Sequence, residues 1–469
     1  MATMVVNMIP NSLSGETNQD SEPSIAVNPT DPRKIVATSF TPDPLGGANA
    51  PIFVSTDGGQ TWTLNSIVPS VAGSAGGTLD ISPRFSGASN RLYAAIIRAG
   101  DVLLNTLRTD DFTSNTVMTV LSDRDQVDQP WAEATTVRSG ADAGQETVYV
   151  GNNDFNAPSD RTATIDQSLN AAIANPTFNS IRIERRSTGT AGQNGPQIRN
   201  AIHPDGIVYA AFYGWRAFDS TNRVTADVVV VRDDNWGSGA NPFAALVDGG
   251  DNTAGMRVVQ GITFTWNALL GQQRLGGDLS IAVDPNNSST VYLAWADQQT
   301  AGYTLHVRRS TDRGATWSPD LLTITNAKNP ALAINSASEV GFLYQQVTGT
   351  GTTQRWETRL RRMNYGQHWD DLLLANTPAT TPAPQFQPYL GDYVNLMAVD
   401  CTFYGIFSAN NTPDLANFPQ GVVYQRNANF TNHTLLAGNL VTPVTVSIDP
   451  FFFKVSRQLP IGALSLLLG

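Results

Sequence analysis

Short apolar runs, separated by glycine, proline, asparagine and aspartate, recur along the whole chain. In the first part of the chain this pattern predicts strands at Ser24–Val27, Lys34–Phe40, Pro51–Ser55 and Thr61–Val68. Other runs, such as Val228–Val231, are apolar without alternation, which is typical of strands buried on both faces. The pattern therefore predicts an all-β protein.

Two segments share one eight-residue motif. Ser55–Trp62 and Ser310–Trp317 both read S-x-D-x-G-x-T-W, and each follows an apolar run. A second repeated element, Ser24–Pro29 and Ser280–Pro285, precedes each motif. The offset between the two elements locates weaker copies elsewhere. Together they indicate seven units, which start near residues 21, 76, 128, 196, 277, 328 and 389.

The eight-residue motif resembles the Asp-box, or bacterial neuraminidase (BNR) repeat, of sialidase-like β-propellers. The resemblance implies a single β-propeller domain over residues 1–469, built from four-stranded blades joined by Asp-box turns. The seven units predict seven blades, and six blades, as in sialidases, is the alternative. An apolar strand at residues 4–9 precedes the first unit. We expect it to pair with the last strands, near 445–455, and so to close the ring.

In this family the Asp-box is a structural turn. We expect its Ser and Asp side chains to bond to the turn backbone, its Gly to adopt a positive φ, and its Trp to contact the next blade. The residues assigned to this structural role are Ser55, Asp57, Gly59, Thr61, Trp62, Ser310, Asp312, Gly314, Thr316 and Trp317.

Candidate chemistry lies where the first strand of each unit begins, because propeller ligands usually sit at the mouth of the central channel. Aromatic rings stack on sugars, while carboxylates and amides bind hydroxyl groups. The catalytic candidates are Glu22, Asp128, Glu133, Asp278, Asp392 and Tyr393. The ligand-binding candidates are Gln129, Trp131, Gln197, Arg199, Arg274 and Asn329. The alternative is that these polar residues only line a water-filled channel.

The resemblance to sialidases implies three arginines on a substrate carboxylate, a Tyr–Glu nucleophile pair and an Asp acid/base. Arg84, Arg199 and Arg274 are the candidate arginines, and Tyr393 is the candidate tyrosine. The R-I-P motif that carries the first arginine in that family is not present, and Pro83-Arg84-Phe85 is the nearest segment. The leading hypothesis is a propeller that recognises carbohydrate, with catalysis left open. The alternatives are a glycoside hydrolase acting on terminal sugars and a scaffold for protein partners.

The net charge of −11 and the presence of only three lysines argue against nucleic acid and anionic membranes as partners. No apolar run is long enough to span a membrane, and no signal peptide is visible. The scarcity of lysine and the abundance of Asn, Thr and Gly nevertheless favour an extracellular or cell-surface location. The four histidines are widely separated, which argues against a zinc site, and no cofactor is predicted. A structural calcium ion near Asp123, Asp125 and Asp128 is the one metal site considered.

Overall fold

The computed structural model describes residues 2–40, 49–69, 78–98, 103–138, 140, 142–156, 162–186, 198–265, 278–298, 302–363, 369–382 and 390–456. Strands dominate these ranges. Within them, three short 3-10 helices occur at Asn11–Leu13, Gly351–Thr353 and Leu415–Asn417. No helix in the described ranges is long and apolar enough to cross a membrane.

After a first strand, β1 (Ala2–Asn7), the chain forms three antiparallel four-stranded sheets in sequence order. Sheet 1 contains β2 (Ser21–Val27), β3 (Ile35–Phe40), β4 (Asn49–Ser55) and β5 (Thr63–Pro69). Sheet 2 contains β6 (Thr78–Phe85), β7 (Leu92–Arg98), β8 (Leu104–Thr109) and β9 (Thr119–Arg124). Sheet 3 contains β10 (Val127–Thr136), β11 (Glu146–Asp154), β12 (Ala163–Ser168) and β13 (Asn179–Arg182).

Three further four-stranded sheets follow, the first with a small added ribbon. Sheet 4 contains β14 (Arg199–Ile202), β15 (Val208–Phe218), β16 (Arg223–Asp233) and β19 (Met256–Thr265), and β17 (Val247–Asp248) pairs with β18 (Thr253–Ala254). Sheet 5 contains β20 (Leu279–Asp284), β21 (Asn287–Asp297), β22 (Thr304–Ser310) and β23 (Leu322–Thr325). Sheet 6 contains β24 (Ala327–Ile334), β25 (Val340–Thr348), β26 (Arg355–Met363) and β27 (Trp369–Pro378).

Sheet 7 combines both ends of the described chain. It contains β28 (Asn395–Val399), β29 (Thr402–Asn410), β34 (Ile448–Ser456), β1 and β30 (Val423–Tyr424). The insertion between β29 and β34 also carries a small sheet of β31 (Ala428–Asn429), β32 (Thr434–Leu436) and β33 (Pro443–Val444). The described part of the chain thus holds seven sheets of four or five strands.

The seven sheets form a closed ring. The first strand of each sheet (β2, β6, β10, β14, β20, β24 and β28) contacts the first strand of the next, and β28 contacts β2. Buried apolar side chains fill the spaces between successive sheets; for example, Tyr209 and Val230 of sheet 4 share a cluster with Leu293 and Trp295 of sheet 5. The chain is therefore a β-propeller. The assignment of residues 1–469 to one domain stays a prediction.

The N-terminal strand is held in sheet 7 by its pairing with the C-terminal strand. β1 pairs antiparallel with β34, with Val5 opposite Phe453. Beside this pair, the fully buried Arg426 donates from Nη1 to Asp449 Oδ2 at 2.9 Å and to Glu16 Oε1 at 2.9 Å. Asn7 also donates to Asp449, at 2.7 Å. Both ends of the chain therefore contribute to one buried polar cluster.

The two Asp-box motifs fold alike. In the first, Ser55 donates to Asp57 at 2.8 Å, and Asp57 accepts from the Thr61 hydroxyl at 2.6 Å. Gly59 has φ +90°, and its N–H donates to the Ser55 hydroxyl. In the second motif Ser310, Asp312, Gly314, Thr316 and Trp317 make the corresponding bonds.

The expected position of the Asp-box tryptophans is wrong in one respect. The Trp62 ring lies 5.3 Å from that of Phe452, which belongs to sheet 7 and so precedes sheet 1 in the ring. Trp317, from sheet 5, likewise contacts the cluster shared with sheet 4. Trp62 therefore contacts the preceding sheet and not the next one, and the cluster that Trp317 contacts lies between sheet 5 and the preceding sheet 4. The direction depends on the packing of neighbouring sheets, which a local sequence motif does not contain.

Candidate functional site

The centre of the ring holds a cavity of about 260 Å³. Residues of six first strands, β6, β10, β14, β20, β24 and β28, line it. Much of the lining is apolar, as at Ile281 and Leu396. The polar side chains in the lining are Arg84, Glu133, Arg199, Asn200, Ser280 and Asn395. Ligand pockets usually measure roughly 300–1,000 Å³, so this cavity suits a small ligand.

Three first strands begin with the same distorted backbone. Glu22, Gln129 and Asn329 have φ values of 50°, 57° and 56°. Each precedes a proline and lies at a break in register between the first and second strands of its sheet. Positive φ is uncommon for residues other than glycine and costs of order 1–3 kcal/mol. Such backbone outliers cluster at functional sites, which directs attention to this end of the channel.

Two buried arginines are already paired with carboxylates. Arg84 donates to Glu133 at 2.7 Å, and Arg199 donates to Asp278 at 3.1 Å. The guanidinium of Arg199 also lies over the Trp131 ring, 3.7 Å from its centre. That face of Trp131 is therefore covered by protein.

Two further contacts join the remaining candidates. The Tyr393 hydroxyl donates to Asp80 Oδ1 at 3.1 Å, and burial raises the pKa of Tyr393 well above its usual value. The backbone N–H of Asp392 donates to Glu22 Oε1 at 3.1 Å. Tyr393 also meets the Trp131 ring edge to face, at 5.9 Å. These contacts connect sheets 1, 2, 3 and 7.

Burial perturbs two charged groups in this region. It raises the pKa of Asp278 to about 7, against the opposing effect of Arg199. It also lowers the pKa of Lys328 to about 7, although Asp392 and Asp278 act in the opposite direction. A carboxyl and an amine that both change charge near neutral pH therefore lie on adjacent sheets.

Several buried polar atoms around the channel have no hydrogen-bond partner among the described residues. One is Arg84 Nε of sheet 2. Others are Gln129 Oε1, Asn200 Oδ1, Asp278 Oδ2, Lys328 Nζ and Asn395 Oδ1. These others come from sheets 3, 4, 5, 6 and 7 in turn. Buried polar groups in proteins are nearly always hydrogen-bonded, so this ring of atoms is suited to a bound ligand or to ordered water.

The structure brings together most of the predicted site residues that it describes. Trp131, Glu133 and Arg199 line the cavity. Glu22, Asp278, Asp392 and Tyr393 are buried beside them. By contrast, Asp128 is only partly buried and accepts from the Gln129 N–H, and Asn329 donates to Gln345 and Gly391. Gln197 and Arg274 lie outside the described residues.

Lys328 is the main residue that sequence reasoning missed. It lies directly before Asn329-Pro330, just as Asp128 lies before Gln129-Pro130. This shared position was the available signal. Its burial beside Asp278 depends on the neighbouring sheet and cannot be read from local sequence.

No group of three or more His, Cys, Asp or Glu side chains that could hold a metal ion occurs in the described ranges. Asp123, Asp125 and Asp128 all fall within these ranges and form no such group. The structural calcium ion stays a prediction.

No protein-family model and no curated protein sequence matches the chain. Solved structures with a similar fold include an endosialidase of phage phi92 (11% identity, TM-score 0.43, covering 98% of this chain and 70% of the other). An α-L-arabinanase of Penicillium chrysogenum, complexed with arabinobiose, has 12% identity and a TM-score of 0.43, covering 95% and 97%. Sqt1 of Chaetomium thermophilum, bound to the N-terminus of ribosomal protein L10, has 13% identity and a TM-score of 0.40, covering 86% of each chain. At these identities the likeness concerns the fold alone.

Proposed function

We propose that the protein binds a carbohydrate in its central channel. The observation that carries the proposal is that five successive sheets each contribute a buried polar atom without a partner in the described ranges, and that two of these atoms, in Asn200 and Asn395, belong to residues that line the cavity. Sugar hydroxyls both donate and accept hydrogen bonds. A sugar can therefore satisfy amide and carboxylate oxygens and an ammonium group in one site, whereas an apolar ligand cannot.

The charges favour an uncharged sugar. Arg84 and Arg199, two candidates for binding a substrate carboxylate, are both paired with carboxylates of the protein. An acidic sugar would have to compete with Glu133 and Asp278 for these guanidinium groups. We therefore expect neutral glycans to bind more tightly than sialylated ones.

Asn200 and Asn395 offer the cleanest test, because both line the cavity and each has an amide oxygen without a partner in the described ranges. Binding is measured on an array of neutral and acidic glycans and then by calorimetry. Asn200→Leu and Asn395→Leu are expected to weaken binding about tenfold or more. Asn175→Leu, at an exposed position, is the matched control. A folded wild-type protein that binds no glycan would overturn the proposal and favour a protein-binding scaffold.

A second candidate function is glycoside hydrolysis. A general acid must hold a proton near neutral pH, and Asp278, with its pKa raised to about 7, meets that requirement. Asp278→Asn is expected to lower turnover of a bound glycan by about 10²–10⁴-fold, the usual contribution of acid catalysis. Release of sugar at an unchanged rate by this variant would exclude Asp278 as the acid.

A further inference from the structure

Lys328 has a buried amine that no described residue binds directly. The residue is 1% exposed, and its Nζ atom has no hydrogen-bond partner in the described ranges. The amine lies 4.3 Å from the centre of the Tyr303 ring. An unbonded ammonium in a protein interior is costly, so its position calls for an acceptor that the described chain does not supply.

Asp278 presents the complementary atom. Its Oδ1 accepts from Arg199 at 3.1 Å and from the Leu279 N–H at 2.7 Å. Its Oδ2 is buried and has no partner in the part of the chain described. Asp278 directly precedes β20 and Lys328 is the second residue of β24, and these adjacent first strands contact each other.

The groups that face the amine come from three directions. Asp278 precedes β20, Asp392 precedes β28, and the ring of Tyr303 precedes β22. Arg199 forms an ion pair with Asp278 at 3.1 Å. The two carboxylates are near enough to act on the charge of Lys328, yet the amine hydrogen-bonds to neither.

We propose that Lys328 and Asp278 form a subsite for a single hydroxyl group of the ligand. An ammonium only donates hydrogen bonds, and a carboxylate only accepts them. A hydroxyl does both, so one hydroxyl accepts from Lys328 Nζ and donates to Asp278 Oδ2. A carboxylate group of a ligand in this place would meet Asp278 with like charge. The inference rests on the proposed carbohydrate binding and specifies which part of the sugar is recognised here.

The test measures the affinity of glycosides with and without individual hydroxyl groups, in the wild type and in a variant without Lys328. Methyl glycosides of galactose, glucose and mannose, together with their monodeoxy derivatives, are titrated into the wild type and into Lys328→Met. The wild type is expected to bind one deoxy derivative about tenfold or more weakly than its parent. Lys328→Met keeps only the Asp278 acceptor and is expected to lose most of the difference in affinity between that parent and derivative. Lys34→Met removes a partly exposed lysine and is expected to keep the selectivity of the wild type.

Selective labelling provides a second measurement, because the chain has only three lysines, at 34, 328 and 454. With ¹³C-lysine, ligand binding is expected to shift one signal, which is absent from the spectrum of Lys328→Met. Lys328→Gln, with a thermal melt, checks that altered selectivity does not arise from unfolding.

The possible outcomes separate the two proposals. If the wild type binds a glycoside and Lys328→Met keeps the selectivity against every deoxy derivative, the hydroxyl subsite is wrong and carbohydrate binding stands. If the wild type binds none of the glycosides or array glycans, both proposals fall.

Discussion

The guanidinium of Arg199 lies 3.7 Å from the centre of the Trp131 ring and donates to Asp278 at 3.1 Å. Arg199 belongs to sheet 4, Trp131 to sheet 3, and Asp278 precedes the first strand of sheet 5. One buried side chain therefore joins three successive sheets at the channel. It also makes the Trp131 face part of the protein core, so a sugar would have to be recognised mainly through polar groups.

Arg199→Met tests this connection. The change leaves Asp278 buried without its cation, which is expected to lower the free energy of unfolding by roughly 3–5 kcal/mol. Denaturant titration measures the loss. The double variant Arg199→Met/Asp278→Leu should recover much of it, because neither member of the ion pair is left buried without the other. As a control, Arg33→Met breaks the exposed pair with Asp31 and should change stability little. Equal losses in the free energy of unfolding for Arg199→Met and Arg33→Met would contradict the prediction that the buried pair matters more for stability than the exposed one.

Gly59→Ala tests the packing of the first Asp-box. A Cβ atom at Gly59 would lie 2.1 Å from Phe452 Cε1, and its φ of +90° suits glycine. We expect a loss of at least about 2 kcal/mol, since overpacking and backbone strain add. Gly15→Ala is the matched control, because nothing lies within 4 Å of the added atom. Glycan binding at temperatures where the variant is folded should be unchanged; a specific loss of binding would give the Asp-box a role in the site.

Stability of Lys328→Met is expected to depend on pH. In the folded wild type the pKa of Lys328 is lowered to about 7, from 10.5 for an ordinary lysine. The folded state therefore holds this proton less well than the unfolded state, and the cost of burying the charge is fully present below pH 7. Lys328→Met should be more stable than the wild type by about 1–4 kcal/mol at pH 6, and the difference should shrink as the pH rises towards 10.5. A difference that does not change with pH would show that folding does not lower the pKa of Lys328.

Glu16→Gln reports on the cluster that joins the two ends of the chain. Burial, together with Asp20 and Asp449, raises the pKa of Glu16 to about 9. The folded state then binds this proton more tightly than the unfolded state, so the stability of the wild type falls as the pH rises from 4.5 to 9. Glutamine imitates the protonated acid and should remove that fall. The two proteins should be similarly stable at pH 4.5 and differ most at pH 9. Glu339→Gln, at a partly buried position, is the control. If the stability of the wild type and of Glu16→Gln changes with pH in the same way, the prediction is wrong.

Local sequence was sufficient for the strands, the Asp-box turns and the all-β class. Apolar periodicity and turn residues act over a few positions, so Ser55–Trp62 and Ser310–Trp317 fold alike although they lie far apart in the chain. The predicted strands of the first unit also agree with β2 to β5 to within a few residues. The positive φ values of Glu22, Gln129 and Asn329 could not be predicted in this way, because a residue before proline usually adopts an extended backbone with negative φ.

Only part of the candidate site could be predicted from the sequence. Glu22, Asp278 and Tyr393 could be selected because they stand where the first strands begin. Their partners could not, since Tyr393 bonds to Asp80 across 313 positions of sequence. The same holds for Lys328, which looks like one lysine among three until sheet 5 places Asp278 beside it. It holds also for Trp131, whose ring is covered by an arginine from the following sheet.

Local sequence specifies the strands and turns of this protein, because hydrophobic alternation and turn chemistry depend on residues a few positions apart. The polar groups that face one another across the channel, and those without a partner in the described ranges, are set by the tertiary structure. Those relations depend on the closure of the ring and the twist of each sheet, and they bring together residues from all seven sheets. Burial in that closed ring changes the charge behaviour of Asp278 and Lys328, and no local pattern in the sequence specifies it.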